Sequence, residues 1–434
     1  MTTDTIFALA TGAGIAAIAV IRVSGPASRM VLERLCRTLP SPRVATLRAL
    51  RNAADEVLDR GLVVWFPGPN SYTGEDSAEL SLHGGRAVIE GVADALVAAG
   101  ARPAEPGEFT ERAFLNGRLD LLEAEGVADL IAAETSAQRR QALRQMEGRL
   151  GSIYAGWSDR LLRVLAQQEA LIDFPDEDLP DTVVFAIERD IALLINEMRL
   201  HLDDGARGER LREGLVFAII GPPNAGKSTL INALSGRDVA IVSPAPGTTR
   251  DVLEARIVLG GVPVTLLDTA GLRETSDPIE AEGVRRARAR AERADLIIAM
   301  DDASNQALWY ETARHGSVPV MHVINKTDLA AADRHSDHAV SALTGDGMAG
   351  LRNALEDLAK RLTNDAGPPV LTRARHRAAL VMAVERLDSG LRATWPELRG
   401  EDLRMALRCL GRLTGTVGVD DILDSVFRQF CIGK

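Results

Sequence analysis

Residues Leu215–Ile220 read Leu-Val-Phe-Ala-Ile-Ile, and they run directly into Gly221-Pro-Pro-Asn-Ala-Gly-Lys-Ser-Thr229. The apolar run predicts a buried strand, and the residues after it match GxxxxGK(S/T), a phosphate-binding loop that lies between a strand and a helix. Glycines let such a loop turn its N–H groups towards phosphate oxygens, and the helix N-terminus adds a partial positive charge. We expect Lys227 to reach the outer phosphates and the hydroxyl of Ser228 to hold Mg²⁺. The stretch therefore predicts a nucleotide-binding α/β domain in the middle of the chain.

The base of the nucleotide is indicated by Asn325-Lys-Thr-Asp328, which follows the apolar run Val318–Ile324. In an NKxD segment the Asp carboxylate accepts hydrogen bonds from N1–H and N2–H₂ of guanine, whereas adenine offers no donor there and leaves the carboxylate unpaired. Thr248-Thr-Arg-Asp251, Asp268-Thr-Ala-Gly271 and Ser341-Ala-Leu343 complete a set of five elements in order, each in its expected local context. We therefore predict that the nucleotide is GTP.

The residues predicted to contact GTP are those of the five elements, namely Asn224, Ala225, Gly226, Lys227, Ser228, Thr229, Thr248, Thr249, Asp268, Thr269, Ala270, Gly271, Asn325, Lys326, Asp328, Ser341 and Ala342. The predicted Mg²⁺ ligands are Ser228 and Thr249, with Asp268 as a carboxylate linked to the ion. Leu272 stands where Ras-like proteins carry the glutamine that orients the attacking water, so another residue must take that role.

The composition is that of a globular protein with several domains. The chain has 434 residues, 46% of them apolar and 26% charged, and its formal net charge is −11, so overall charge does not indicate a nucleic-acid partner. No apolar run approaches the roughly 20 residues needed to span a bilayer. The N-terminal Met-Thr-Thr-Asp lacks a basic segment, so we expect no signal peptide. The three cysteines, Cys36, Cys409 and Cys431, share no metal-type spacing and fit a reducing compartment. We therefore predict a cytoplasmic protein, and the lack of a spanning run predicts no membrane contact.

The flanks of the α/β domain divide into a mixed part and a helical part. Up to about Gly117, the strand-like runs Ala16–Val23, Gly61–Phe66 and Glu79–His83 alternate with turns and with the helical stretch Ala87–Ala99, which predicts an α+β domain. From Leu119 onwards apolar residues recur at three- and four-residue steps, and the same spacing returns at Arg373–Leu391. We predict an α+β domain at 1–118, an all-α helical domain at 119–212 and 367–434, and a Ras-like α/β P-loop domain at 213–366 inserted in the helical one. Separate helical domains on the two flanks are the alternative.

Five further segments carry a resemblance to a known family. They are Ile21-Arg-Val-Ser-Gly-Pro26, Ser71-Tyr-Thr-Gly-Glu-Asp76, His83-Gly-Gly85, Pro106-Gly-Glu-Phe-Thr-Glu-Arg-Ala-Phe-Leu-Asn-Gly117 and Phe430-Cys-Ile-Gly-Lys434. Together with the nucleotide-binding elements, they resemble the MnmE (TrmE) family of bacterial tRNA-modification GTPases over essentially the whole chain. The segments at 106–117 and 430–434 are very specific, and no general folding rule requires them.

The resemblance implies a function for the N-terminal domain. In the family this domain dimerises and binds a tetrahydrofolate one-carbon donor, 5-formyltetrahydrofolate or 5,10-methylenetetrahydrofolate. The positions that match folate-contacting residues are Arg22, Glu79, Arg118 and Lys434. Arg118 stands where the family can have lysine, which keeps the charge but changes the donor geometry. Taken alone, Arg22 and Glu79 are equally explained as solvent-facing charges.

The resemblance also implies partners and a reaction. Family members form homodimers and act with the flavoprotein MnmG, in a heterotetramer, on the wobble uridine (U34) of certain tRNAs. The product there is a 5-carboxymethylaminomethyl-type modification. For this chain the resemblance thus implies a K⁺-stimulated GTP hydrolase with tRNA as the substrate of the complex.

For hydrolysis, the resemblance assigns the positioning of water to Glu280, although Asp277-Pro-Ile-Glu280 also fits the capped start of a helix. The family neutralises charge with K⁺, a hard cation that prefers oxygen ligands. The matching K⁺ positions are Asn224, Ser243, Ala245 and Thr248. An arginine finger, Arg250 or Arg273, is the alternative, and Asn224 could instead brace the loop. Cys431 could be a nucleophile or an inert buried thiol.

Two other classes of function share the nucleotide-binding elements. A ribosome-assembly or regulatory GTPase would have the same phosphate loop and NKxD segment, but it would not need the segments at 71–76, 106–117 and 430–434. A GTPase of metal transport or of a membrane is disfavoured because no spanning segment is present.

Overall fold

The structure divides into two compact units. The computed structural model describes the 434 residues except 1–3, 13, 174–180, 205, 237–253, 269–293, 305–317, 332–335, 364–369, 418–422, 424–425, 429, 431–432 and 434. The first unit comprises Met1–Ile131, Leu143–Ile195 and Ala379–Lys434, and the second comprises Ala132–Ala142 and Asn196–Ala378. None of the helices in the described ranges is both long enough and apolar enough to cross a membrane.

The first unit contains a six-stranded sheet. Its strands are β1 (Ile6–Leu9), β2 (Ile18–Ser24), β3 (Thr46–Arg51), β4 (Val57–Phe66), β5 (Ser77–His83) and β6 (Arg102–Pro103). They lie in the order β3-β4-β5-β2-β1-β6, and β1 and β6 are parallel whereas the other neighbours are antiparallel. The sequence predicted β2, β4 and β5 from their residue pattern, but it did not predict β1, β3 and β6.

Two helices cover one face of this sheet, α1 (Ser28–Cys36) and α2 (Arg86–Ala98). Alternate strand residues such as Ile21 and Leu80 point to these helices and are fully or almost fully buried. The residues between them lie on the opposite face, because side chains alternate along a strand. On that face the cross-strand neighbours Leu47 and Leu62 are 64% and 47% exposed. In the described part of this unit, the β3–β4 end of this face therefore exposes two leucines to solvent.

Helices form most of the rest of the described chain. They are α3 (Glu108–Leu115), α4 (Leu121–Ala132), α5 (Ser136–Met146), α6 (Arg149–Asp173), α7 (Asp181–Leu202), α8 (Arg207–Glu213), α9 (Lys227–Ser235), α10 (Met348–Thr363), α11 (Ala374–Arg392) and α12 (Pro396–Thr414). In the first unit α6 packs along α12, where Nε2 of Gln168 donates to the carbonyl of Pro396 at 3.0 Å. A Cβ on Gly400 would lie 3.1 Å from Cδ1 of Ile172, so this glycine allows the two helices to approach closely. Both flanks of the α/β domain thus contribute to one helical packing.

The C-terminal residues pack against the N-terminal part of the first unit. Phe427 and Phe430 are buried and join Leu121 in one apolar cluster. Gly433 has a φ of +96°, and a Cβ there would lie 2.3 Å from the carbonyl oxygen of Leu9 at the end of β1. Only glycine avoids both the steric clash and the unfavourable backbone conformation at this position. The terminal motif therefore has a structural requirement for Gly433.

The second unit contains a largely parallel sheet. Its strands are β7 (Leu215–Ile220), β8 (Glu254–Leu259), β9 (Val262–Asp268), β10 (Leu296–Asp302), β11 (Val320–Asn325) and β12 (His338–Ala339). They lie in the order β12-β11-β10-β7-β9-β8, with β8 and β9 antiparallel and the other neighbouring pairs parallel. The first six residues of β10 are all buried, as is expected of a central parallel strand covered on both faces. The predicted α/β domain is confirmed, with β7 at the predicted residues.

The two segments that connect this α/β domain to the helices are hydrogen-bonded to each other. Arg377, in α11, donates from Nη1 to the carbonyl of Leu202 at 2.8 Å and from Nη2 to Asp204 at 2.6 Å. Its Nε donates to Glu209 at 3.2 Å. Asp204 also accepts the N–H of Leu371 at 3.2 Å. We call this group the Arg377 clasp, and it holds the entry and exit connections of the α/β domain together.

Asp120 caps the start of α4 and is packed against α6. Its Oδ1 accepts the N–H of Glu123 at 2.7 Å, and Oε2 of Glu123 accepts the N–H of Asp120 at 2.8 Å. A Cβ on Gly151 would lie 2.6 Å from Oδ2 of Asp120, so only glycine leaves room for the carboxylate there. Burial is the main reason that the pKa of Asp120 rises to about 6, and the charge of Glu123 contributes in the same direction.

The raised pKa predicts how stability depends on pH. The folded state retains the Asp120 proton to higher pH than the unfolded state does. The free energy of unfolding should therefore fall as pH rises from the ordinary pKa of 3.8 to the folded-state pKa of about 6. Asp120→Asn keeps the cap acceptor and removes the buried charge. We expect it to raise the melting temperature by a few degrees at about pH 8 and to change it little at about pH 4.

The measurement is calorimetric melting of the full chain at both pH values. Asp159→Asn, on an exposed position of α6, is the control and should leave the melting temperature unchanged at both. An equal gain for Asp120→Asn at both pH values would contradict the prediction, because a charge effect must vanish when the carboxyl is protonated.

Candidate functional site

The four central parallel strands of the second unit end at one edge of the sheet. Because parallel strands share a direction, the residues that follow their carboxyl ends come together there, and ligands of open α/β sheets bind at this edge. Ile219 of β7 is the cross-strand neighbour of Asp268 at the end of β9. Asp302, at the end of β10, is the neighbour of Asn325 at the end of β11. Three of the predicted sequence elements are thereby brought to the same edge.

The phosphate-binding loop is tightly folded. Asn224 and Gly226 have φ values of +66° and +92°, in the left-handed region. The buried ammonium of Lys227 donates to the carbonyl oxygens of Gly221 and Pro222, both at 2.9 Å, so its charge lies within the loop. A Cβ on Gly226 would lie 2.3 Å from Nδ2 of Asn325, so the glycine is required by space as well as by φ.

Asn325 links this loop to the last predicted element. Its Nδ2 donates to the carbonyl of Ala225 at 2.9 Å, and its Oδ1 accepts the N–H of Ala342 at 3.0 Å. Asn325 is 3% exposed, and both of these bonds are buried. One amide side chain therefore fixes the distance between the loop expected to hold phosphates and the loop expected to hold the base.

The segment after Asn325 presents a carboxylate to solvent. Asp328 is exposed, and one of its oxygens accepts the hydroxyl of Ser341 at 2.6 Å. Lys326 makes an ion pair with Asp302 at 2.6 Å. Burial disfavours the charged form of Asp302, but hydrogen bonds from Lys326 and Ser304 outweigh it and lower the pKa of that carboxyl. The hydrogen bond from Ser341 thus orients the Asp328 carboxylate through one oxygen, and the second oxygen does not take part in that bond.

Ser228 and Asp268 form a pair of oxygen ligands next to the phosphate loop. The Ser228 hydroxyl donates to Oδ2 of Asp268 at 2.9 Å, and Asp268 is only 4% exposed. Mg²⁺ at a nucleotide needs few protein oxygens, because phosphates and waters supply the other ligands. Across the described ranges no group of three or more His, Cys, Asp or Glu side chains is arranged to hold a metal ion by itself. The donor set therefore fits Mg²⁺ bound together with a nucleotide.

A second cluster lies on the first unit, on the face of the sheet opposite α1 and α2. Arg22 of β2 and Glu79 of β5 are cross-strand neighbours, and Nη2 of Arg22 lies 2.9 Å from Oε1 of Glu79. The guanidinium carbon of Arg22 is 5.2 Å from the ring centre of Tyr72 and 5.8 Å from that of Phe109. Arg22 is therefore held by a carboxylate and two aromatic rings rather than free in solvent.

Arg118 lies near the same cluster. A Cβ on Gly74 would lie 3.2 Å from Cγ of Arg118, and Nδ2 of Asn116 donates to the carbonyl of Thr73 at 2.8 Å. The segment that carries Tyr72 thus runs past both Arg22 and Arg118. Arg22 and Glu79 are thus paired, and Arg118 lies beside the segment that carries Tyr72, whereas Lys434 lies outside the described residues.

Some predicted residues lie outside the described part of the chain. They are Ser243, Ala245, Thr248, Thr249, Thr269, Ala270, Gly271, Glu280, Lys434 and the open case Cys431. Sequence reasoning gave no site role to Asp302, Tyr72 and Phe109, which the structure places at the two clusters. Tyr72 and Phe109 do stand in segments that carried the family resemblance, which was the available signal.

Comparison with known proteins identifies the family of the chain. A family model described as the MnmE helical domain matches residues 121–431, and one described as the GTP-binding protein TrmE N-terminus matches residues 5–118. The chain belongs to the MnmE (TrmE) family. Proteins called tRNA modification GTPase MnmE are similar over their whole length: that of Gluconacetobacter diazotrophicus is 61% identical, over 99% of this chain and 98% of that protein. That of Granulibacter bethesdensis is 58% identical, over 100% of both.

Solved structures similar to the MnmE-family chain are GTP-binding proteins. Era of Aquifex aeolicus bound to GDP.AlF4- is 27% identical, over 42% of this chain and 69% of that one, with a TM-score of 0.26. The G domain of the Thermotoga maritima FeoB iron transporter is 26% identical, over 33% of this chain and 98% of that one, with a TM-score of 0.26. The family membership rests on the full-length relatives, which make this chain a member of a GTPase family.

The position of Asp328 predicts a change of base preference. Asp328→Asn replaces a carboxylate oxygen by an N–H donor, which opposes the donors of guanine but suits the C2 carbonyl of xanthine. We expect the affinity for GTP to fall by about 10²–10⁴-fold and the affinity for xanthosine triphosphate to rise. Competition against a fluorescent guanine nucleotide measures both.

The control for this substitution is Asp357→Asn, an exposed position on α10 that should leave both affinities unchanged. If Asp328→Asn bound GTP like the unmodified chain, the base would have to be recognised by another group.

Proposed function

We propose that this protein binds and hydrolyses GTP with Mg²⁺ and that it uses the cycle in the modification of tRNA. The observation that carries the proposal is the Asn325 amide, which joins the phosphate loop to the base loop within hydrogen-bond distance. This geometry favours a nucleotide bound in one orientation, with phosphates at Lys227 and the base at Asp328. The full-length relatives named tRNA modification GTPase support the second half of the proposal.

In this proposal each predicted site residue has a defined task. The loop N–H groups and Lys227 hold the outer phosphates, and Ser228 with Asp268 and Thr249 hold Mg²⁺, which neutralises charge on them. Glu280 positions the attacking water, since Leu272 cannot do so. The remaining predicted contacts, at Thr269, Ala270 and Gly271, would enclose the outer phosphate.

We further propose K⁺ as the second cation, with Asn224, Ser243, Ala245 and Thr248 as its ligands. Of these the structure describes Asn224, which is exposed at the phosphate loop and whose side chain makes no hydrogen bond to a described residue. Its amide oxygen is a ligand of the kind a hard cation prefers. A cation next to the phosphates would do the work that an arginine finger does in other GTPases.

For the N-terminal cluster we propose a tetrahydrofolate derivative, 5-formyl- or 5,10-methylenetetrahydrofolate, held by Arg22, Glu79, Arg118 and Lys434. A carboxylate such as Glu79 suits the N–H edge of a pterin, and guanidinium groups suit the carboxylates of the folate tail. The partly exposed ring of Tyr72 beside Arg22 supports a flat ligand at this place. The contact between Arg118 and Gly74 supports its inclusion.

The proposal also includes a homodimer and a protein partner. The exposed Leu47 and Leu62 at the β3–β4 end of the sheet face support self-association, because apolar patches of this kind commonly mark interfaces. We propose that the dimer acts in the cytoplasm with the flavoprotein MnmG and forms the 5-carboxymethylaminomethyl-type group at U34. The domain division at 1–118, 119–212 with 367–434, and 213–366 likewise remains our prediction.

The K⁺ proposal predicts a specific loss in one variant. Asn224→Ala removes an oxygen ligand of the cation and leaves the other phosphate-loop residues in place. We expect the hydrolysis rate in K⁺ to fall by about 10-fold or more, to the rate in Na⁺, while nucleotide affinity changes little. Hydrolysis at saturating GTP in K⁺ and Na⁺ buffers is the measurement.

Asn232→Ala, an exposed position on the helix that follows the loop, serves as the control and should keep its K⁺ stimulation. Full K⁺ stimulation of Asn224→Ala would remove Asn224 from the ligand set. Equal rates of the unmodified chain in the two buffers would refute a K⁺-dependent mechanism altogether.

The cellular function is tested by mass spectrometry of wobble nucleosides. Cells that lack the gene should lose the U34 modification, the unmodified gene should restore it, and Lys227→Ala should not, because the loop lysine is needed for phosphate binding. Lys360→Ala, an exposed position on α10, is the control and should restore it. Unchanged U34 nucleosides together with defective ribosomes would favour an assembly GTPase instead.

A further inference from the structure

Arg112 of α3 is a charged side chain that lies almost entirely inside the first unit, with 1% exposure. Its Nη1 donates to the carbonyl of Asp4 at 3.0 Å and lies 3.2 Å from Oε2 of Glu75. Its Nη2 donates to Oδ1 of Asp4 at 2.9 Å and to Oε1 of Glu108 at 2.8 Å. One guanidinium therefore joins three carboxylates that are far apart in the sequence.

A second arginine reduces the negative charge of this group. Arg102 donates from Nη1 to Oε2 of Glu108 at 2.9 Å and also pairs with Asp4. Burial disfavours the charged form of Glu108, but hydrogen bonds from Arg102, the N–H of Glu105 and Arg112 outweigh it and lower the pKa of Glu108. The Glu108 carboxylate is thus ionised at neutral pH, and loss of a partner would leave its buried charge less well compensated.

Glu75 connects this charged group to the strand that carries Arg22. Its Oε2 accepts the hydroxyl of Ser24, at the end of β2, at 2.8 Å. The same hydroxyl lies 2.7 Å from Oγ1 of Thr73, which in turn is 3.1 Å from the hydroxyl of Ser77. We call residues 71–76 the Tyr72 loop, and it is tied through Glu75 to β2 on one side and to α3 on the other.

Both aromatic contacts of Arg22 depend on these two elements. Tyr72 belongs to the Tyr72 loop, and Phe109 belongs to α3, where the Thr110 hydroxyl lies 2.8 Å from that of Tyr72. Phe109 is fully buried and packs with Ile6, so its ring has little freedom to move. A shift of the loop relative to α3 would therefore change the position of the Tyr72 ring over Arg22.

We propose that Arg112, acting through Glu75, is a positioning residue that sets the geometry of the Arg22 site without touching its ligand. The inference rests on the proposed folate site. Lysine cannot replace Arg112, because an ammonium lacks the planar fork that reaches Asp4, Glu75 and Glu108 together. The proposal explains why the specific segments 71–76 and 106–117 occur in the same chain: they are two halves of one support.

The test is the affinity of the full chain for 5-formyltetrahydrofolate, measured by calorimetric titration well below each variant's melting temperature. We expect Arg112→Lys and Glu75→Gln each to weaken binding by about tenfold or more, since misplacing one ring–guanidinium contact costs on that order. Glu75→Gln retains the shape of the side chain and an oxygen that can accept the Ser24 hydroxyl. This variant therefore tests the positioning role if Arg112→Lys does not fold.

Val63→Ala is the matched control. Val63 is fully buried against the helices on the other face of the sheet, so this substitution lowers stability without reaching the Arg22 site. We expect it to lower the melting temperature and to leave the folate affinity unchanged. If Val63→Ala weakened binding as much as Arg112→Lys, the effect would be general destabilisation and the positioning role would be refuted.

Two further outcomes separate the inference from the proposed function. If the unmodified chain did not bind 5-formyltetrahydrofolate, the proposed folate site would fail and the inference with it. If the unmodified chain bound the ligand and both variants bound it equally well, the folate site would stand and the positioning role of Arg112 would be overturned.

Discussion

The amide of Asn325 is the contact on which the nucleotide site depends. Parallel strands bring the phosphate loop and the base loop to one edge of the sheet, but an edge alone leaves each loop free to move. Nδ2 of Asn325 donates to the carbonyl of Ala225, and Oδ1 accepts the N–H of Ala342. Neither of these two buried backbone groups is therefore left unpaired. The absence of a side chain at Gly226 is the counterpart of this contact, because a Cβ would occupy the place of the amide.

The sequence predicted the strand and the helix on either side of the phosphate loop because these are local features. A strand, a glycine-rich turn and a helix stand next to each other, so β7 was predicted at the residues where it lies, and Lys227 and Ser228 were given site roles before any contact was known. The pairs that were not predicted join distant parts of the chain: Lys326 with Asp302, and Arg22 with Tyr72. Hydrophobic periodicity identifies the buried face of a strand, but it contains no information on which charged residue crosses to which loop.

The two faces of the N-terminal sheet follow different physical rules. The face under α1 and α2 is packed with aliphatic side chains, so its residues could be predicted from alternation. The other face holds the Arg22–Glu79 pair beside exposed leucines, and alternation alone could not distinguish solvated charges from a built cluster there. The buried arginine of α3 shows why the Pro106–Gly117 segment is specific: its Glu108 and Arg112 are partners in the interior, which gives the segment a folding reason that residue patterns did not reveal.

The hydrogen bonds of the Arg377 clasp bear on how a domain can be inserted into this chain. Because Leu202 and Asp204 are hydrogen-bonded to Arg377 and Leu371, the two connections of the α/β domain already lie next to each other. The entropy needed to close a loop between such connections grows only slowly with its length. The α/β domain can therefore be inserted, lost or exchanged between these two connections at little entropic cost. The pairing of α6 with α12 would be kept.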